Sequence, residues 1–168
     1  MIVATSTRAS ATSTRPLRAR KCGAEIGPTR RGKGVKILAI VDRQGLSLSV
    51  STHAANHHEV TLVQLSFDFY MLEAKPQNLI GDKAYDSDGL DNELKQQGVE
   101  MIAPHRSNRH VKTQDGRRLR RYARRWIVER YFAWLQWKRR LLVRWEYYTS
   151  NFLGFVELAS ITILLKRF

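Results

Sequence analysis

Two acids stand in surroundings where a carboxylate can do chemistry. Asp82 closes the run Asn78-Leu79-Ile80-Gly81, which reads as a short strand. Open α/β sheets place their chemistry at the carboxyl ends of strands, and Asp82 lies at one. Glu129 lies in Tyr122-x2-Arg125-x3-Glu129-Arg130. On a helical wheel Tyr122, Arg125, Ala133, Gln136 and Arg140 fall within about 40° of it. Leu119, Ala123, Ile127, Trp134, Trp137 and Leu141 form an apolar stripe about 80–160° away. Glu129 therefore borders the buried face and shares its own face with two arginines. Each acid also has a plainer reading: Asp82 as a strand-end turn acid, Glu129 as the ion-pair partner of Arg125 or Arg130.

The charge around these acids is uneven. The 168 residues carry 29 Lys and Arg against 15 Asp and Glu, a net +14. Residues 104–145 hold fourteen bases and two acids, and residues 1–34 hold eight bases and Glu25 alone. The remainder is slightly acidic. Such blocks are stable when solvated or when neutralised by a polyanion. The second block also contains Trp126, Tyr131, Phe132, Trp134, Trp137 and Trp145. Arginine interleaved with aromatics suits a phosphate backbone with bases beside it, although helical aromatics also build cores. A lone cysteine, Cys22, excludes a disulfide scaffold. The longest apolar run, Phe152 to Leu165, is too short to span a bilayer and contains Glu157. No membrane partner is expected.

The elements that would position the two acids follow from periodicity. Residues 1–31 are rich in Ser, Thr, Arg, Gly and Pro, and predict a loose basic segment. Lys36–Val41 reads as a buried strand, Asp42–Gly45 as a turn, and Leu46–Thr52 as a half-buried strand, together a hairpin. A helix is predicted from Asn56 to about Ala74, and a second from Ser87 or Asp88 to Gly98. Val99–Ala103 reads as a strand. A long helix is predicted over about 117–144, and a last one over 151–166. Strands alternating with helices after a hairpin indicate an α/β mixed sheet. Asp86, Asp88 and Asp91 read as acids favoured at a helix N-terminus. His53, His57 and His58 lack the spacing of a zinc site.

From Gly32 to Phe168 the chain resembles the catalytic domain of bacterial insertion-sequence DDE transposases of the insertion-sequence-five type. The resemblance rests on three stretches. They are Arg30-Arg31-Gly32-Lys33-Gly34-Val35-Lys36 leading to Ala39-Ile40-Val41-Asp42, Gly81-Asp82-Lys83-Ala84-Tyr85-Asp86-Ser87, and Tyr122-x2-Arg125-x3-Glu129-Arg130 continued by Phe132-Ala133-Trp134-Leu135. It implies a ribonuclease-H-like mixed sheet flanked by helices. It also implies carboxylates holding two Mg2+ ions for DNA strand cleavage and transfer. Carried over, Asp82 and Glu129 are catalytic metal ligands. Tyr122 and Arg125 bind DNA, together with Arg130, Arg140, Arg117, Arg118 and Arg121.

The chain departs from that pattern twice. Gln136 stands where the family has a lysine, and Arg140 lies one turn further along the same face. The first catalytic Asp has no counterpart, because Glu25 is the only acid before Asp42, and Asp42 matches the hairpin-turn position. The expectation is a catalytic domain over 32–168 lacking its first central strand, a truncated or frameshifted fragment inactive alone. Its partners would be transposon ends and target DNA in the bacterial cytoplasm, at the nucleoid. It would assemble with itself or with full-length transposase. The alternative is a non-catalytic DNA-binding protein that inhibits the full-length enzyme.

Overall fold

The computed structural model describes residues 2–9, 23–29, 32–58, 60–63, 76–110 and 120–167. Among them the strands are β1 (Ile2–Ala9), β2 (Gly27–Thr29), β3 (Gly32–Val41), β4 (Ser47–Ala54), β5 (Asn78–Ile80) and β6 (Glu100–Ile102). The helices are α1 (Asp88–Gln96), α2 (Trp126–Gln136), α3 (Arg139–Leu142) and α4 (Thr149–Leu165).

The β3–β4 hairpin forms as its sequence predicts. Asp42 Oδ1 accepts the backbone N–H of Gln44 (2.8 Å) and of Leu46 (2.9 Å), closing the turn locally. Gly45 sits at φ +86°, a conformation that a side chain would strain. β3 pairs antiparallel with β4 on one side and with β1 on the other. β1 then runs parallel to β5, and β5 parallel to β6. The order across the sheet is β4-β3-β1-β5-β6, with β2 along the first residues of β3.

The composition of the N-terminal segment predicts loop and a missing central strand. β1 instead fills the centre of the sheet, with Val3 opposite Val41, Thr5 opposite Ala39 and Thr7 opposite Ile37. Its Ser, Thr and Arg content hides the apolar alternation that marks a strand. β-branched Ile2, Val3, Thr5 and Thr7 still favour extended backbone, and the open edge of β3 supplies the ladder.

Both faces of the sheet are covered, as alternation along β3 requires. Val35, Ile37, Ala39 and Val41 join Ile80 and Ile102 against Ile127, Tyr131 and Leu135 of α2 and Phe152, Val156 and Ile163 of α4. Leu38, Ile40, Leu79 and Met101 face the other way, against Leu62, Val63, Leu90 and Leu94. Lys36 is buried within β3, where its Nζ donates to the carbonyl of His57 at 2.6 Å. Such a bond is what makes a buried ammonium tolerable.

Two predicted helices differ from the structure. Of the predicted 56–74 helix, residues 56–58 form a turn instead, residues 60–63 are helical, and residues 59 and 64–74 lie outside the described residues. The long helix is broken. Residues 120–125 form a 3-10 segment, α2 ends at Gln136, and Lys138 is extended at φ −88°, ψ 97° before α3 begins. Neither Gly nor Pro signals that break. Its energetic reason lies in packing: Leu135 and Leu141 both reach the same core, and the bend between them brings α3 back against α4.

Candidate active site and nucleic-acid face

Asp82 lies two residues beyond the end of β5. Gly81 before it donates its N–H to Ile102 on β6 at 3.0 Å, so the sheet itself delivers the acid. A Cβ at Gly81 would meet Tyr85 Cδ2 at 2.6 Å, which leaves room for glycine alone. Asp82 Oδ1 accepts the N–H of Ala84 at 2.8 Å and caps the 3-10 turn Lys83–Tyr85. The strand-end turn and the candidate ligand are thus one residue.

A second acid, read from the sequence as part of a helix N-terminus, holds that turn from outside. The carboxylate of Asp86 is 3% exposed. It takes the N–H of Arg106 (2.7 Å), His105 Nδ1 (3.0 Å) and the guanidinium of Arg109. Arg109 also grips Asp88. Arg106 reaches back to the carbonyls of Lys83 (3.2 Å) and Ala84 (3.0 Å). Burial alone would raise the pKa of Asp86. The Arg106 N–H, the His105 hydrogen bond and the Arg109 charge outweigh it and hold Asp86 below the usual carboxylate range. Asp91 behaves oppositely, since burial and the charges of Asp88 and Asp86 push it up. The sequence signal for this clasp is His105-Arg106-x2-Arg109 directly after the strand-ending Pro104.

Glu129 lies on the first turn of α2, its side chain 56% exposed, with Arg125 Nη1 at 3.4 Å from Oε1. The i, i+4 pairing read from the wheel is present. The helix carrying it packs on β1 and β3, and the 3-10 segment before it neighbours β5. Arg130 is half-buried and engaged within the fold. Its Nη2 donates to the Gln44 carbonyl at 2.7 Å, and its guanidinium stacks on Trp126 (4.8 Å) and Trp134 (5.0 Å). Arg140 pairs with Glu146 Oε1 at 2.9 Å and lies over Phe155. Arg121 and Tyr122 belong to the 3-10 segment, while Arg117 and Arg118 lie outside the described residues. The break after Gln136 removes the single face that the wheel assigns to Tyr122, Glu129 and Arg140. It also takes Trp137 off the apolar stripe and leaves it 85% exposed, whereas Leu141 stays buried.

Among the described residues no three His, Cys, Asp or Glu side chains gather as a metal site. Asp82 has one oxygen committed to Ala84, Glu129 faces Arg125, and the sequence of β1 contains no acid. This donor set does not fit two divalent cations, which need carboxylates to bridge and neutralise them. His53, whose Nε2 lies 2.8 Å from Ser51 Oγ, is half-buried in β4, with His57 and His58 exposed in the turn after it.

The Transposase DDE domain family profile matches residues 6–164, nearly the whole chain. A putative transposase for insertion sequence element IS402 from Burkholderia cepacia is 31% identical over 129 residues. That match covers 71% of this chain and 57% of the relative, so the chain spans a little over half of the relative's length. A piggyBac transposase, solved by cryo-EM as a synaptic complex with hairpin DNA, matches with a TM-score of 0.44 and 14% identity. The match covers 68% of this chain and 26% of that one. On the family match, with Asp82 and Glu129 on the elements described above, the chain belongs to the DDE transposase family.

Proposed function

We propose that this chain is the catalytic domain of an insertion-sequence DDE transposase of the insertion-sequence-five type, acting on transposon ends and target DNA, with a ribonuclease-H-like sheet. The observation that carries the reading is Asp82 at the carboxyl end of β5, beside a central β1, with Glu129 on the helix packed over β1 and β3. Asp82 and Glu129 are the proposed catalytic acids. Arg125, Tyr122 and Arg140, with Arg117, Arg118 and Arg121, are the proposed DNA contacts. Arg130 adds its charge from beneath, its guanidinium being engaged by Gln44.

The family works with divalent metal ions, and among the described residues no third acid joins Asp82 and Glu129. As given it binds DNA without cutting it. It re-enters a DNA assembly only with further copies or with a full-length transposase. The place proposed for a third acid is Thr5, a reading the strand register supports. Thr5 lies opposite Ala39, whose face is the α2 side of the sheet. Continuing the Val3–Ile80 parallel pairing along the strands brings Thr5 level with Asp82.

The test is a strand-nicking assay on plasmid DNA with magnesium or manganese. No cleavage is expected from the unmodified chain, and metal-dependent nicking is expected from Thr5→Asp. In that background Asp82→Asn and Glu129→Gln should each abolish nicking while leaving DNA binding intact, and Asp42→Asn should be silent. Cleavage by the unmodified chain that disappears in Asp42→Asn would make Asp42 the missing ligand and overturn the assignment.

A further inference from the structure

We infer that Trp137 is a stacking platform for an unpaired nucleobase of DNA, an inference that rests on the DNA-binding reading above. Trp137 is 85% exposed, more than any other large hydrophobic residue among the described residues. The backbone forces this. α2 stops at Gln136, Lys138 turns extended, and Trp137 stands at the outer corner between two helices. The neighbouring tryptophans are covered by cations: Arg130 lies over Trp126, and Arg130 and Arg167 lie over Trp134. Among the described residues no ring or guanidinium covers Trp137.

Three cations follow it directly, Lys138, Arg139 and Arg140. An exposed indole beside a run of cations has the chemistry of a single-stranded nucleic-acid site, in which the phosphates meet the charges and a base lies on the ring. Intact duplex hides its base faces in the stack, so the fitting partner is a single strand, a strand end or an extruded base. A second copy of this chain fits the corner poorly. A two-fold contact would set two such basic runs against each other within one interface.

The experiment compares the full chain with W137A, W137F and R139Q. Binding is measured to a single-stranded oligonucleotide and to a blunt duplex of the same sequence, over a range of salt, with sedimentation to follow association state. W137A should bind the single strand about tenfold more weakly. It should keep its duplex affinity and its salt slope, since the indole carries no charge. W137F should recover most of the loss. R139Q should lower the salt slope by about one unit on both DNAs. Circular dichroism identical to wild type is expected, because the ring touches no core.

Single-strand affinity unchanged in W137A overturns the inference. So does an equal loss on both DNAs, or a W137A chain that dissociates where wild type associates. Absence of any DNA binding by the wild-type chain is a different result, which fails the DNA-binding reading and takes this inference with it.

Discussion

Asp86 accepts from a backbone N–H, an imidazole and a guanidinium, and titrates below the ordinary carboxylate value. A group depressed in the fold contributes stability that is present above its unfolded pKa, near ~3.9, and is lost as pH falls through the folded value. Asp86→Asn should therefore destabilise the chain at neutral pH, with the difference from wild type shrinking below about pH 4 in urea titrations. Asp91 has the opposite sign, because a raised carboxyl pKa costs stability once the pH exceeds it. Asp91→Asn should leave the neutral chain as stable or more so. Glu129→Gln removes only an exposed i, i+4 pair, so its unfolding free energy in urea titrations should change by less than about 0.5 kcal/mol. A larger loss there would show a structural rather than a chemical role. At this scale the strand-end position of Asp82 and the Glu129–Arg125 pairing were legible in sequence, because each depends on local spacing. The role of Asp86 was not, because its three donors come from a loop some twenty residues downstream.

Helix α2 is joined to α4 by a buried hydrogen bond, Tyr131 Oη to Ser160 Oγ at 2.6 Å, while Ser160 also donates to the Val156 carbonyl at 2.8 Å. Burial raises the pKa of the Tyr131 phenol, so it stays a neutral donor across the working range. Tyr131→Phe should cost about 1 kcal/mol in thermal or urea unfolding, the net worth of one such bond when its partner keeps another. Leu135→Ala, which opens a cavity in the same core, should cost about 2–5 kcal/mol. The hairpin, α1 and α4 were readable from alternation, a C-terminal glycine and an apolar run. The split of the 117–144 helix was not, because the extended Lys138 follows from where Leu135 and Leu141 must pack, a tertiary demand with no local marker. β1 escaped for a related reason: a Ser/Thr-rich strand between two partners draws its order from their ladders.

Across the whole molecule the basic residues collect in the 104–145 block that carries Glu129 and Trp137. DNA binding should be strongly salt-sensitive. If about five phosphates are neutralised, log K should fall with log salt at a slope near −4 to −5, measured by anisotropy on unrelated duplexes. A flat dependence would exclude a phosphate-reading surface. Arg125→Ala should weaken binding more than Lys95→Ala, because Lys95 lies outside the block, on α1.

β1 is the first strand of the chain and the middle strand of the sheet. Its antiparallel partner β3 follows it closely in sequence, but its parallel partner, through Ile2 with Leu79 and Val3 with Ile80, comes only after β3 and β4. The left and right halves of the sheet are thus made at different times and joined by a contact of high sequence separation, the slow kind to form. Until β5 arrives, the hairpin and β1 form a three-stranded edge with unpaired backbone groups, the species most exposed to sticking to its own copies. On a ribosome this chain waits half-folded for residues 78–80, and in a stopped-flow mixer its refolding should lie in the millisecond-to-second range typical of non-local sheets.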